Sequence, residues 1–490
     1  MYYRLNPPYA FRGWSKLPFA IRAEYGAEIF DKPKFFRKEQ FMELLYCVGT
    51  NDVRPASLTK KTQRLLEEMI NHGILEASET RLPSLEPWQI YRVFPSRYLK
   101  AVHWAITGQC NYQCRHCLVS APDHEQTHLP LSDLLRIADE IAGCGIKAVD
   151  ITGGEPLIRK DFAELCKALS ERDLHIRLLF TNAGLLDEDV LKILDDTGHR
   201  PMFQISFDGL GHHDWLRGVP GAEKQADKAF RLLQKHSSPV TAAMMLHREN
   251  RDSIRDTVSY LSSLGVKSLG LNAPQSLGLW KQYAAEYALT ENELWETYNA
   301  YIPYYFKDGM PLDIDLDGYF SCRKGRTDYQ IRYVHHAKED SDWTKIPYCE
   351  SMRYTLHIRP DGRVAPCMGF SDSVLGDRFP SVLNEHLGDI SLQGYYHDVV
   401  ETRLSDVLKH NPECASCQYW PRCTGGCMVE CMNEEGDYLI PDRRICYFHR
   451  NIGEEAVRQI ADEAIQKYCT GVDGDSNEIH LEKLTCKPGN

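Results

Sequence analysis

No apolar run in this 490-residue sequence approaches the ~18 residues needed to cross a bilayer, and the opening MYYRLNPPYAFRG holds no apolar signal core. Neither a membrane contact nor an export signal is therefore expected, and the expected compartment is the cytoplasm. Positive charge is not in surplus: 57 Lys and Arg against 69 Asp and Glu leave a net −12, which argues against a nucleic-acid partner. Hydrophobic residues at 43% and charged residues at 26% are ordinary for a globular protein, and the length suits about three domains. Cysteine is the exception. There are seventeen, an odd number and too many for a reducing compartment unless they bind metal or do chemistry.

Three of them, Cys110, Cys114 and Cys117, fall within the eight residues CNYQCRHC. Buried thiols acting as small hydrophobes have no reason to cluster so. A structural zinc site is closed by four ligands, and the one nearby candidate, His116, lies between two of the cysteines. A cubane [4Fe–4S] cluster is usually held by four thiolates, so three leave one iron open to a small chelating molecule.

Cys110-x3-Cys114-x2-Cys117 resembles the signature of the radical S-adenosylmethionine (SAM) superfamily. The resemblance implies that the amino and carboxylate groups of SAM chelate the open iron. It also implies reductive cleavage to a 5′-deoxyadenosyl radical that abstracts hydrogen from a substrate, with flavodoxin or ferredoxin as external electron donor. The residue before the last cysteine usually lies by the adenine and is aromatic. Here it is His116.

Apolar, β-branched runs follow at 101–107, 147–152, 176–181, 202–207, 239–245 and 266–272, separated by amphipathic stretches such as 131–145, 161–173 and 251–265. Strands alternating with helices imply βαβ units and a parallel sheet covered by helices. The expected class is α/β, a partial (β/α)6 TIM-type barrel, which is also the fold the resemblance implies. Cys110 follows the first strand, where active-site loops of such barrels gather.

GGEP at 153–156 directly follows the second strand. The resemblance implies that the backbone around Gly153 and Gly154, with Glu155, takes the methionine ammonium of SAM. It places Ser206 and Asp208, in SFDG after the fourth strand, against the SAM ribose or carboxylate. Ordinary loop capping is the alternative for both. Arg217 is either a partner for the SAM carboxylate or a solvated arginine.

The C-terminal third explains the remaining cysteine surplus. Cys349, Cys367, then Cys414-x2-Cys417-x5-Cys423-x3-Cys427 and Cys446 resemble the SPASM extension, which holds two auxiliary iron–sulfur clusters. The resemblance assigns Cys414, Cys417, Cys423 and Cys446 to one cluster, and Cys349, Cys367 and Cys427 to the other. Its fourth position is open: Cys322 leads, Cys431 rivals it, and a substrate cysteine is the third choice. Three [4Fe–4S] clusters and SAM are thus the expected cofactors. Cys47, Cys144, Cys166, Cys469 and Cys486 are expected to be inert or weak metal binders.

Residues 20–31 suggest two short strands around Gly26; 37–49 and 57–78 carry helical periodicity, the second opening on a capping Ser57 and ending near Gly73. A β-hairpin followed by three helices is winged-helix-like, yet the segment is not markedly basic. It is similar to the peptide-recognition domain fused to maturases of ribosomally synthesised peptides, where a leader peptide adds as a strand. Main-chain bonds and apolar pockets would dominate such binding, so salt should weaken it little. The proline-bearing stretch 81–100 suggests a linker.

The expected domains are a peptide-recognition domain over 1–95, the radical SAM barrel over 96–310, a SPASM domain over 311–450, and a helix and tail over 451–490. The expected activity is modification of a precursor peptide, with a thioether crosslink favoured because two auxiliary clusters suit net oxidation. Carbon–carbon crosslinking and epimerisation are alternatives. Sulfatase maturation is disfavoured because Met368 follows Cys367 where that class has a basic aspartate. A metal-sensing winged-helix regulator is the reading from a different class.

Overall fold

The structure, a computed structural model, describes residues 1–24, 33–49, 51–117, 127–274, 278–335, 337, 338, 340–371, 373 and 375–469. Its N-terminal part contains β1 (Tyr2–Leu5), β2 (Tyr9–Trp14), β3 (Ala20–Ala23), β4 (Lys34–Phe35), α1 (Lys38–Cys47), α2 (Lys60–Asn71), β5 (Leu75–Ser78) and β6 (Arg92–Phe94). Strands β4, β3, β2 and β6 form one sheet in that order, and β1 pairs with β5. The apolar stripes of α1 and α2 bury Phe41, Leu44, Leu65, Leu66 and Met69 against Phe11 of β2.

Local details differ from the sequence reading. The strand that returns against β3 is β4, with Ala20 opposite Phe35, while 25–32 lie outside the described residues. The cap of α2 is Thr59, whose hydroxyl accepts from Thr62 N, not Ser57. The tail of the 57–78 stretch is the strand β5. Among the described residues there are two α-helices here rather than three. The supposed linker contributes β6, which runs parallel to β2.

All six expected barrel strands form: β7 (Ala101–Ala105), β8 (Ala148–Thr152), β9 (His175–Thr181), β10 (Met202–Ser206), β11 (Val240–Met245) and β12 (Ser268–Asn272). They are parallel neighbours in chain order. Between them lie α3 (Leu131–Gly143), α4 (Phe162–Glu171), α5 (Glu188–Asp196), α6 (His213–Arg217), α7 (Ala222–His236) and α8 (Ile254–Ser263). Val102, Trp104, Val149, Ile151, Ile176 and Leu179 are buried with Leu134, Ile137, Ile141, Leu165 and Leu169 of the helices. His103 and Asp150 sit at the alternate positions, on the inner face of the sheet.

The sheet does not stop at six strands. Strand β13 (Asp313–Leu316) lies parallel to β12 and carries the antiparallel β14 (Phe320–Cys322). At the other edge β15 (Thr355–Ile358) lies parallel to β7 and carries β16 (Val364–Ala365). The cysteine-rich third thus supplies both edges of one ten-stranded sheet, and helices Arg443–Asn451 and Gly453–Tyr468 close the described chain. The N-terminal part packs on this body through Trp14, fully buried, whose Nε1 donates to Cys144 O at 3.2 Å.

Candidate functional site

Residues 110–117 follow β7 at the C-terminal end of the barrel strands and are tied down from two sides. Gln113 N and Arg115 N donate to Arg217 O (3.3 Å) and Leu216 O (2.9 Å) of α6. Asn182, after β9, donates from Nδ2 to Asn111 Oδ1 at 2.8 Å and points the same amide at Cys110 Sγ, 3.7 Å away. The structure brings Cys110, Cys114 and Cys117 together in one cluster with Tyr112 and Ala222.

GGEP and the segment before Cys110 lie against each other. Gly154 N donates to Thr107 O and Glu155 N to Gln109 O, both at 2.8 Å. A Cβ on Gly154 would stand 2.2 Å from Gln109 O, and one on Gly153, where φ is +147°, 2.3 Å from Thr107 O. The glycines are needed for this close approach of two loops. Glu155 is fully buried. Its Oε1 accepts from Thr181 Oγ1 (2.9 Å) and Leu157 N (3.1 Å), its Oε2 from Asn182 N (2.8 Å). Burial pushes its carboxyl up to about 7, against the pull of those three donors.

Asp208 is fully buried and spoken for within the protein. Arg217 grips it through Nε–Oδ2 at 2.6 Å and Nη2–Oδ1 at 3.0 Å, His213 Nδ1 lies 3.0 Å from Oδ2, and Met245 N donates to Oδ1 at 3.0 Å. Although burial opposes ionisation, Arg217 and His213 hold this carboxyl well below the usual range. Within the protein it holds Arg217, whose Nη1 is 3.8 Å from Cys114 Sγ. Arg217 is therefore buried rather than solvated. Ser206 ends β10, half-buried. His116 is kept neutral, its basicity pushed down to about 3 by burial and then by Arg217. Its Nδ1 is buried without a hydrogen-bond partner among the described residues.

Sequence reasoning missed His213, Asn250 and an aromatic wall. Asn250 Nδ2 donates to both Asp208 O and Met245 O at 2.9 Å, locking the loops after β10 and β11. Trp215 packs on Tyr287 and His247 at centroid distances of 4.4 and 5.1 Å, and Arg115 lies over the Trp215 ring at 4.8 Å. The run HHDWLRG was the visible signal.

In the C-terminal third, Cys414, Cys417, Cys423 and Cys446 lie within electrostatic reach of one another, and burial, with the neighbouring thiols adding, pushes Cys423 up to about 12. Asp442 joins the loops that carry them: its Oδ2 accepts from Cys427 N at 3.3 Å and its Oδ1 from Arg444 N at 2.9 Å. Cys322, Cys349, Cys367 and Cys427, together with Cys423 of the other group, line one cavity of about 1290 Å³ that reaches Gln204 and Ser268 of the barrel. Cys322 Sγ donates to Arg326 O at 3.1 Å. The side chain of Cys431 and all of Cys486 lie outside the described residues. Cys47, Cys144, Cys166 and Cys469 are buried.

Among the described residues, no three His, Cys, Asp or Glu side chains converge as they would on a single metal ion. The donor chemistry of the triplet nevertheless suits an iron–sulfur cluster. The three thiols pack in one cluster, with N–H donors aimed at Cys110 Sγ from Tyr112 N (3.4 Å) and Asn182 and at Cys114 Sγ from Arg217. These donors favour thiolate and tune a cluster bound there.

The model of the radical SAM superfamily matches residues 104–261, from β7 into α8. The chain carries a radical SAM domain. Enzymes built on this domain use a [4Fe–4S] cluster and SAM. Over 351 residues it is 26% identical to the PqqA peptide cyclase of Granulibacter bethesdensis, covering 69% of this chain and 84% of that protein. It is 25% identical over 332 residues to the sporulation killing factor maturation protein SkfB of Bacillus subtilis, covering 67% and 73%. In fold it is similar to Streptococcus suis SuiB bound to its precursor peptide SuiA, with TM-score 0.62 and 14% identity over 91% of this chain and 99% of that one. No helix among the described residues is long and apolar enough to cross a membrane.

Proposed function

We propose that this radical SAM enzyme matures a ribosomally made precursor peptide in the cytoplasm, closing a thioether between a cysteine sulfur and a carbon of the same peptide. The observation that carries the reading is the thiol triplet at the mouth of the barrel, with Arg217 fixed by Asp208 onto Cys114 Sγ. Similarity to a peptide cyclase and a peptide maturation protein supports the substrate class.

Cys110, Cys114 and Cys117 would hold a [4Fe–4S] cluster which, reduced by an external flavodoxin or ferredoxin, supplies the electron that cleaves SAM to a 5′-deoxyadenosyl radical. The chain's residues position the reactants. Glu155, buried at the end of β8 with both oxygens accepting from Thr181, Leu157 and Asn182, would add negative charge behind the backbone of Gly153 and Gly154 that takes the SAM ammonium, and Ser206 would stand at the end of β10. His116 and the Trp215–Tyr287 wall offer apolar and aromatic surface to adenine. In a SPASM region over 311–450, Cys414, Cys417, Cys423 and Cys446 would hold one auxiliary cluster, and Cys349, Cys367, Cys427 and Cys322 the other. Cys322 lines the same cavity as Cys349, Cys367 and Cys427, which is consistent with its serving as fourth ligand. The 1–95 domain would capture the leader of the precursor. Thioether closure would remove two hydrogens, one as an atom and the other as a proton with one electron, and an auxiliary iron–sulfur cluster held by these cysteines would supply the one-electron acceptor. Two auxiliary clusters suit that exit; epimerisation needs none.

The test is anaerobic reconstitution, then incubation with dithionite, SAM and a short cysteine-bearing precursor peptide, sought among the open reading frames beside the gene. The expected result is 5′-deoxyadenosine and a peptide lighter by two hydrogens with its cysteine no longer alkylatable. A mass-neutral product would favour epimerisation, and two lost hydrogens with a free thiol would favour carbon–carbon crosslinking. No deoxyadenosine would sink the reading.

A further inference from the structure

The inner wall of the barrel carries a charged group that the site at its mouth does not use. Asp150 of β8 is fully buried, and Arg177 of β9 holds it, with Nε 2.7 Å from Oδ1 and Nη2 on Oδ2. His103 of β7 stands on the other side, its Nε2 3.1 Å from Asp150 Oδ2. Its ring lies 6.0 Å from that of Phe180, and His357 of β15 stands opposite it in the ladder between the two strands. His357 is 4% exposed, and its Nδ1 is buried with no hydrogen-bond partner among the described residues.

Neither packing nor charge balance asks for this group. The interior layers of TIM-type barrels are filled mainly by bulky branched side chains, and a buried ion pair is often no more stable than a well-packed apolar pair. Arg177 alone neutralises Asp150, so His103 is not needed as a counter-ion. It is nevertheless set beside a carboxylate, with 33% of its side chain open although it lies inside the barrel. A third group that orients a histidine is the recurring arrangement of a base. With Nε2 turned to Asp150, Nδ1 is the nitrogen left to meet a substrate. Burial, with Arg177 adding, holds His103 below the usual 6.5 against the pull of Asp150, and burial and then His103 push His357 down to about 3. Both imidazoles are therefore neutral near pH 7 and able to accept a proton. The cavity that Cys349, Cys367 and Cys427 line extends to Thr355, two residues before His357 on the same strand.

We propose that His103 is the general base of the peptide modification, its Nδ1 taking the proton of the precursor's cysteine thiol. The S–H bond breaks and an imidazole N–H bond forms, leaving thiolate and imidazolium with no change of oxidation state. The imidazolium returns its proton to solvent as the product leaves. A free thiol near ~8.5 is only about 3% ionised at pH 7, so a base here raises the supply of nucleophile. Asp150 and Arg177 are positioning residues. This role rests on the thioether reading, in which closure releases one proton.

The experiment compares the native enzyme with His103→Asn, both reconstituted and given dithionite and saturating SAM. The precursor bears either cysteine or selenocysteine, whose selenol is already ionised at neutral pH. The readout is crosslinked product per deoxyadenosine, in which changes in SAM binding and cleavage cancel. With cysteine at pH 7 the variant's ratio should be about thirtyfold lower, the reciprocal of the thiolate fraction, and should recover about tenfold per pH unit toward ~8.5. The native ratio should stay level from pH 6.5 upward. With selenocysteine the two enzymes should match. The native enzyme gives a further reading that needs no variant: below pH 6.5 its ratio should drop further for the cysteine precursor than for the selenocysteine one. Circular dichroism and iron content check that the variant is folded and loaded, and His103→Gln repeats the test if Asn is not tolerated. A variant that matches the native enzyme on cysteine at pH 7 would overturn the proposal. So would a loss that neither pH nor selenium relieves, which would mark His103 as structural. If the native enzyme forms no thioether, the reading and this role fall together; if only the replacement of His103 proves harmless, the role falls and the reading stands.

Discussion

Arg217 holds both oxygens of Asp208, at 2.6 and 3.0 Å, and lays its remaining nitrogen 3.8 Å from Cys114 Sγ. A buried cation fixed in this way favours thiolate at Cys114, whose thiol burial alone would push up.

Asp208→Asn keeps the volume and removes the charge that orients Arg217. Residues that orient metal ligands typically cost 10–100-fold in affinity or activity when changed. Iron bound at the first site should become labile to a chelator, and reductive SAM cleavage should fall by about that factor, with iron elsewhere retained. Unchanged cleavage and chelator resistance would count against this coupling.

Gly154→Ala tests the contact between the two loops. Its Cβ would stand 2.2 Å from a backbone oxygen that cannot turn aside. The segment before Cys110 must move, so the variant should lose the first cluster selectively, from about twelve irons to about eight. Iron analysis and deoxyadenosine formation read the result. A full complement with normal cleavage would mean the loops tolerate the shift.

The six barrel strands were legible because each is an apolar run of ordinary length flanked by amphipathic helix, and period and composition are local properties of the chain. Strands β13 to β16 were not. They are two to four residues long, and the pairing of Thr355 with Ala101 joins positions far apart in sequence. The thiol triplet was visible from spacing alone; the grouping of Cys414, Cys417, Cys423 and Cys446 came only from the family resemblance, and the structure sets these four near one another. The pairing of Asp208 with Arg217 was not legible: nothing in SFDGLGHHDWLRG says that α6 turns Arg217 back onto a carboxylate nine residues earlier. Gly153 and Gly154 were noticed, yet the atoms they make room for, Thr107 O and Gln109 O, precede Cys110 on another loop.

Glu155 predicts a pH dependence. Burial raises its carboxyl from the usual 4.5 to about 7. The folded state therefore binds the proton more tightly than the unfolded chain, so this group's contribution to stability is fully present below pH ~4.5 and is lost as pH rises through about 7. SAM affinity should run the other way, rising through the same range as the carboxylate forms to meet the ammonium. Isothermal titration of the reconstituted enzyme with SAM at pH 6 and 8 reads it. In Glu155→Gln the rise should vanish; a rise that persists would place the titrating group elsewhere.

Cys414 and Cys417 carry the last prediction, which separates the two ends of the reaction. The turn Cys417 N to Cys414 O at 3.2 Å sets these thiols beside Cys423 and Cys446, on the short helices of the C-terminal third rather than at the barrel mouth. No residue of that group donates to the loop that holds Cys110, Cys114 and Cys117 among the hydrogen bonds described there. Replacing both by alanine should lower iron by about four per chain, one cubane. Uncoupled cleavage of SAM with dithionite should then continue, while the peptide product, which needs an acceptor for the substrate electron, should be lost. The control is Cys110→Ala/Cys114→Ala/Cys117→Ala, in which both activities should disappear while the remaining iron stays. Circular dichroism and iron counts establish that each variant is folded and loaded as expected. If the Cys414→Ala/Cys417→Ala protein, folded and still carrying about eight irons, loses SAM cleavage and product in equal measure, the auxiliary site does not act after hydrogen abstraction, and the thioether reading loses the electron exit on which it depends.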